Sequence, residues 1–198
     1  MKTFRVIKVI FPLVLLSFCS FSGSHAQTPT SPVHQDSIAT LSPGWPRAAA
    51  QDVNTPENLI ATYYATLSGT ADATRDWNRF RSLFYPEAHF LNLKTFQKGG
   101  HILADNASVP QMIERMQPNL SKADSIEHIA SIDLHAAGSW TIANVQTDLR
   151  IHGARFDTCA HRKATFALIH DVDRYWIAEI LEDSTTDSGA ISCSTVHP

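Results

Sequence analysis

Residues 54–91, NTPENLIATYYATLSGTADATRDWNRFRSLFYPEAHFL, constrain the fold more than any other stretch of the chain. They read as two amphipathic helices, a turn marked by proline, and the start of a strand. Thr55 can cap free amides, Pro56 suits a first turn, and Glu57 faces the positive end of the helix dipole. Leu59, Ile60, Tyr63, Tyr64 and Leu67 then recur at helical spacing, and Gly69 is a natural stop. A second helix carries Trp77, Phe80, Leu83 and Phe84 on one face. It must end near Tyr85, because Pro86 disfavours helix in the residue before it. Helices that precede a run of strands can cover one face of a curved sheet and enclose a hollow.

The run of strands follows. His89–Phe96 alternates enough for a strand, and Gln97–Ala107, with Gly99-Gly100, reads as a loop or short hairpin. Ser108-Val109-Pro110-Gln111 has the form of a capping box; Met112, Ile113 and Met116 line a third helix that Pro118 closes. From Ser125 the period changes to two. Residues 126–135, 140–152, 159–170 and 175–182 read as four strands. Ala143, Val145, Leu149 and Ile151 share one side of the second of these. Ala164, Phe166 and Leu168 line up in the third, and Trp176, Ala178 and Ile180 in the last, with Glu182 following at the end. One apolar face and one wet face describe an antiparallel sheet covered on a single side. The expected class is α+β, with three early helices packed in the concave face of a curved, mostly antiparallel sheet.

The ends differ in character. Lys2, Arg5 and Lys8 precede a short apolar run, and Ser24-His25-Ala26 supplies a small-x-small cleavage site, so residues 1–26 read as an export signal. The mature chain is expected to start at Gln27 and to be periplasmic or extracellular. Removing the signal takes away three positive charges and no acidic residue, so the formal net charge moves from -3 to -6. A mildly acidic chain lacks the basic footprint that nucleic acid requires, and no later segment is apolar enough to span a bilayer as a helix. Residues 27–53, with four prolines and many small polar residues, are expected to be a flexible leader in which Trp45 is the one large anchor, able to dock on the body. The folded unit is placed at 54–183, with a polar tail at 184–198. Cys159 and Cys193 are the cysteines that remain after processing. In an oxidising compartment two such residues often pair, which would pin the tail to the sheet; the alternative is two reduced thiols.

The segments TPENLIATYYATL, DWNRFRSLFYPEAHF, SWTIANVQTDLRI, ATFALIH and RYWIAEIL together resemble the nuclear-transport-factor-2-like superfamily, including its SnoaL-like polyketide-cyclase and ketosteroid-isomerase branches. The resemblance spans about residues 54–183 and implies a cone of curved sheet closed by three helices, with a pocket at the wide end. Members often pair as homodimers through the outer sheet face. Isomerases of this type use a helix tyrosine, an aspartate base and a second, protonated aspartate as donor. Here Tyr63 falls on the tyrosine position, Asn92 on the base and Ala164 on the donor. An amide cannot accept the proton and a methyl group donates nothing, so steroid-type isomerisation is not expected.

The expectation that follows is an exported binding protein with an apolar pocket for a small apolar or weakly polar molecule. Tyr63, Asn92 and His128 would orient the ligand, and Val145, Phe166 and Ile180 would exclude water. His128 shares a side with Ile126, Ala130, Ile132 and Leu134 if the strand is regular, so it is expected to face inward. The rival reading is a dehydratase, cyclase or isomerase with His128 as base and Tyr63 as donor. Another is an interaction domain that works through the outer face. The ten histidines form no short pair with a nearby carboxylate in a metal-binding frame, so neither metal nor cofactor is expected.

Overall fold

The helix that starts at Pro56 begins and ends as its sequence dictates, whereas the Trp77 helix stops at Ser82, short of the end near Tyr85 that was expected, and Phe84 already opens a strand. In the computed structural model, which describes residues 43–95, 102–183 and 193, α1 (Ala50–Val53) leads into α2 (Pro56–Leu67). Thr55 Oγ1 accepts from Asn58 N at 3.1 Å, and the buried face of α2 includes Leu59, Ile60, Tyr63 and Tyr64. α3 (Trp77–Ser82) is capped by Asp76, whose side chain accepts from Arg79 N at 2.9 Å. The third expected helix is α4 (Val109–Leu120), where Gln111 Oε1 reaches back to Ser108 N at 2.9 Å. Pro118 lies inside its last turn and does not close it.

The strands are β1 (Phe84–Thr95), β2 (Ile102–Ser108), β3 (Asp124–Ala137), β4 (Trp140–Gly153), β5 (Phe156–Asp171) and β6 (Arg174–Asp183). They form one sheet in the order β2-β1-β6-β5-β4-β3, antiparallel except where β1 runs alongside β6. The sheet is curved, and the fold is the α+β cone expected. The core fills the space between the helices and the inner sheet face. Tyr63 meets Phe166 edge-on with ring centroids 5.3 Å apart, and Phe80, Phe84 and Phe90 continue the aromatic layer toward β1.

The packed body reaches further upstream than residue 54. Trp45 Nε1 donates to Phe84 O at 3.0 Å, and the Arg81 guanidinium lies over the Trp45 ring. Val53 is buried in the core, and Asp52 takes a forked contact from Arg79, with both bonds at 2.8 Å. Residues 43–53, expected as part of the leader, are therefore docked. The upstream segments assigned to signal and leader lie outside the described residues, as does the tail apart from Cys193. That residue forms a disulfide with Cys159 across a Cα–Cα distance of 5.3 Å.

Two bulges reassign side chains between the faces. In β3 the register shifts between Ile129 and Ser131, so Ala130 is an extra residue. Ile129 pairs with Thr147 and Ile132 with Val145, and both partners are buried. A strand with an added residue changes parity, so Ser125, Glu127 and Ile129 point inward and His128 points out. In β6, Glu179 pairs with Ala167 and Ile177 with Leu168, which makes Ala178 the extra residue. Ile177 and Ile180 therefore share the core face, while Trp176 is on the other side, where Arg174 stacks on its ring at 3.5 Å.

Candidate functional site

The end of α2 is tied to the start of β3. Gly69 and Ser125 exchange backbone hydrogen bonds of 2.7 and 2.9 Å, and Ser68 Oγ accepts from Glu127 N at 3.1 Å. The buried Arg75 side chain caps α2 at Leu67 O and ties down the loop that follows, donating to Leu67 O, Gly69 O, Thr70 O and Ala73 O at 3.0–3.1 Å. Gly69 has φ +147, and a Cβ there would lie 2.9 Å from Arg75 Nη1. Glycine is thus required, because this guanidinium occupies the space a side chain would need. The arrangement fixes Glu127 beneath the helices.

Above Glu127 is a cleft of about 330 Å³. Tyr63 and Leu67 of α2 form one wall, and Met112, Met116 and Leu120 of α4 form another. Phe90 and Asn92 of β1 and Leu149 and Ile151 of β4 also line it. At the rim, Arg115 Nη1 pairs with Asp105 Oδ2 at 2.9 Å. The floor is charged. Arg162 Nη2 donates to Glu182 Oε2 at 2.6 Å, and Arg162 Nη1 stands 3.5 Å from Glu127 Oε1. The same Glu127 oxygen accepts from Thr147 Oγ1 at 2.6 Å. The side chains of Glu127 and Glu182 are only 6% and 14% exposed, whereas Arg162 is 37% exposed.

This environment shifts the titrating groups. Burial pushes the Glu127 carboxyl up, and the Arg162 charge and the Thr147 hydrogen bond only partly oppose it. Burial alone would lower the Arg162 guanidinium, but Glu182 and Glu127 outweigh it and hold the group above its ordinary range. Burial also raises the Tyr63 phenol well above its usual 10.0, and Glu182 adds to the shift. Tyr63 is therefore a neutral hydroxyl at any physiological pH.

Of the six residues expected to line the pocket, Tyr63 and Asn92 do so. Asn92 is in register with Asp105 on one side and Glu182 on the other. Val145, Phe166 and Ile180 are fully packed in the core below. His128 is exposed on the outer sheet face, opposite Asp148, and does not line the cleft, although its neighbour Glu127 does. The base assigned to it in the enzyme reading is therefore misplaced, since the Ala130 bulge reverses its side. The cleft is also not the purely apolar chamber expected, because Glu127, Arg162 and Glu182 form its floor. Arg162 shares strand parity with Ala164 and Phe166 and was readable as inward-facing. Glu127 was hidden by the bulge.

No protein-family model matches this sequence, and no curated protein matches it either. Solved structures do match by shape. A candidate dehydratase of the nuclear-transport-factor-2-like family from Streptomyces avermitilis superposes with a TM-score of 0.50 at 9% identity, covering 69% of this chain and 97% of the other. A candidate aromatic ring hydroxylase from Novosphingobium aromaticivorans gives 0.50 at 10% identity, over 66% and 87% of the two chains. The fold is that of nuclear-transport-factor-2-like proteins. At these identities the likeness concerns architecture, and activity has to be argued from the site.

Proposed function

We propose that this protein is an exported binder of a small molecule, which it holds in the cleft between α2, α4 and the inner sheet face. The observation that carries the reading is the charged floor. Burying Glu127, Glu182 and Arg162 costs desolvation energy that an apolar floor would avoid, and the fold has no need of them, since the aromatic layer below already closes the cone. The ligand fitting these walls has an apolar body against Met112, Met116, Leu149 and Ile151 and a hydrogen-bonding head toward the floor. Export rests on residues 1–26, and sequencing the N-terminus of the protein recovered outside the cytoplasm should read Gln27 first.

The test of binding is native mass spectrometry of the protein incubated with metabolite extract from cells, alongside a Met116→Trp variant that fills the cleft. The wild-type protein should carry an added mass that the variant, at equal melting temperature, does not. An identical spectrum for both proteins would remove the cleft from consideration.

A second reading is favoured by Glu127. A buried carboxyl with a raised pKa beside a neutral tyrosine is a proton-exchanging group, the role that His128 cannot fill. A dehydratase-, cyclase- or isomerase-type reaction would then depend on Glu127, and Glu127→Gln would bind ligand but leave it unchanged over time. Pairing of two copies through the outer sheet face is also part of the proposal. Ile126, Trp140 and Ile142 are exposed there, and light scattering at micromolar concentration would report a dimer or a monomer.

A further inference from the structure

The charges facing the cleft do not balance. At the rim, Arg115 and Asp105 form a neutral pair, both close to half exposed. At the floor a single guanidinium serves two carboxylates. It lies close to Glu182 at 2.6 Å and further from Glu127 at 3.5 Å. Both contacts that Glu127 makes, from Arg162 and from Thr147, fall on Oε1, which leaves Oε2 as an acceptor with no described donor. With both carboxylates ionised the floor is short of one positive charge, and at 6% and 14% exposure both carboxylates are largely shielded from bulk water.

We propose that the cleft takes a small organic cation, a protonated primary or secondary amine on an apolar body. Its ammonium sits between Glu127 and Glu182, so that two cations and two carboxylates alternate. An ammonium brings the missing charge and two or three N–H donors to oxygens that lack them. The hydrocarbon body meets the thioethers and aliphatic chains of Met112, Met116, Leu149 and Ile151. A carboxylate ligand would instead meet two fixed negative charges with Arg162 already engaged. A neutral alcohol would leave the imbalance in place. This inference rests on the small-molecule reading of the same cleft and adds the charge of the ligand to it.

The groups that set the pH response come from every wall: Glu127 on β3, Arg162 on β5, Glu182 on β6, Asp105 on β2, Arg115 on α4, and Tyr63 and Tyr64 on α2. Glu127 is the one among them whose proton an arriving ammonium would displace. Binding should therefore release protons in the window between the ordinary carboxyl value and the raised one, where the calorimetry is run, with the release falling as pH rises beyond it.

Three probes of nearly equal shape decide the matter: 2-phenylethylammonium, 2-phenylethanol and phenylacetate, titrated calorimetrically into the full mature protein. The ammonium should bind at least tenfold more tightly than the alcohol, and phenylacetate more weakly than either. The ammonium's apparent enthalpy should vary with the ionisation enthalpy of the buffer, which registers the released proton. Glu127→Gln, nearly isosteric, should abolish the preference, with melting temperature as its folding control. Equal affinity for ammonium and alcohol in the wild-type protein overturns the inference whether or not the variant folds. If none of the probes binds while metabolite extract still yields a cleft-dependent added mass, the ligand class is wrong and the container reading stands. If the extract also yields nothing, both fall.

Discussion

Arg162 Nη2 and Glu182 Oε2 meet at 2.6 Å, joining β5 to β6 directly beneath the cleft. The bond is short because the guanidinium is the one fixed cation at the floor and Glu182 is its nearer carboxylate. Removing the cation strands two buried negative charges. Breaking a buried pair costs about 3–5 kcal/mol, and solvent access to Arg162 reduces that here to roughly 2 kcal/mol. Arg162→Met should lower urea-measured stability by that amount at pH 7, and adding Glu182→Gln should restore part of it. If the single variant is as stable as the parent, the two carboxylates are not charged together.

Stability should also depend on pH through Glu127. Burial raises its folded-state pKa above the ordinary 4.5. The folded protein therefore binds more protons than the unfolded chain between the ordinary and the raised value, and stability falls as pH rises through that window. The penalty is absent below about pH 4.5 and complete above the folded pKa. The exposed carboxyls of Asp72 and Asp157, which their hydrogen bonds to Thr70 and Arg150 lower, act in the opposite sense at more acidic pH. The difference between the parent and Glu127→Gln isolates the effect. Subtracting the two stability-against-pH curves should leave a negative slope between pH 4.5 and the folded-state value and a flat line on either side.

How far the sequence carried the site depended on whether strands kept strict alternation. β4 does, so Ala143, Val145, Leu149 and Ile151 were read on their true side. β3 and β6 each contain an extra residue, and neither Ala130 nor Ala178 announces a bulge. Alanine tolerates either face, so the pattern of apolar residues stays plausible under both registers. This is how His128 came to be read inward and Glu127 missed. The helices were easier, since Thr55, Pro56, Asp76 and the Ser108–Gln111 box state their own boundaries. Trp45 stood out as the anchor of the leader and does dock, through Phe84 O, but the pairing of Asp52 with Arg79 depends on a tertiary contact that composition does not reveal.

Val172 sits in the β5–β6 turn with φ 57 and 76% of its surface exposed. A β-branched residue in the left-handed region costs about 1–2 kcal/mol, and here no buried contact offsets it. Val172→Gly removes the strain but loosens the unfolded chain, so a net gain of about 0.5–1 kcal/mol is expected. Chemical denaturation measures it directly. A loss of stability would mean that the valine makes a contact worth more than its strain.

The disulfide between Cys159 and Cys193 closes a loop with a sequence separation of 34 residues. A link of that span stabilises by about 2–4 kcal/mol, chiefly by restricting the unfolded chain. The Cys159→Ser, Cys193→Ser double variant should lose that much in urea, and reductant should lower the parent to the same level while leaving the variant unchanged. Insensitivity of the parent to reductant during unfolding would argue that the thiols are not joined in solution.

Gly69 and Gly138 make a controlled comparison. Both have positive φ, +147 and +63, but a Cβ on Gly138 meets nothing within 4 Å, whereas on Gly69 it strikes Arg75 Nη1. Gly138→Ala should therefore cost only the backbone term, about 1 kcal/mol. Gly69→Ala must displace the guanidinium that caps α2 and loosen the pairing with Ser125, for a total of about 2–4 kcal/mol. The two should also differ at the cleft. Ser68 holds Glu127 N one residue away from the substituted position, so Gly69→Ala shifts the carboxylate at the floor, while Gly138 is in the β3–β4 turn at the far end of those strands. Ligand affinity should fall at least tenfold in Gly69→Ala and stay unchanged in Gly138→Ala, measured well below both melting temperatures. Equal affinities in the two variants would separate the α2–β3 tie from the site.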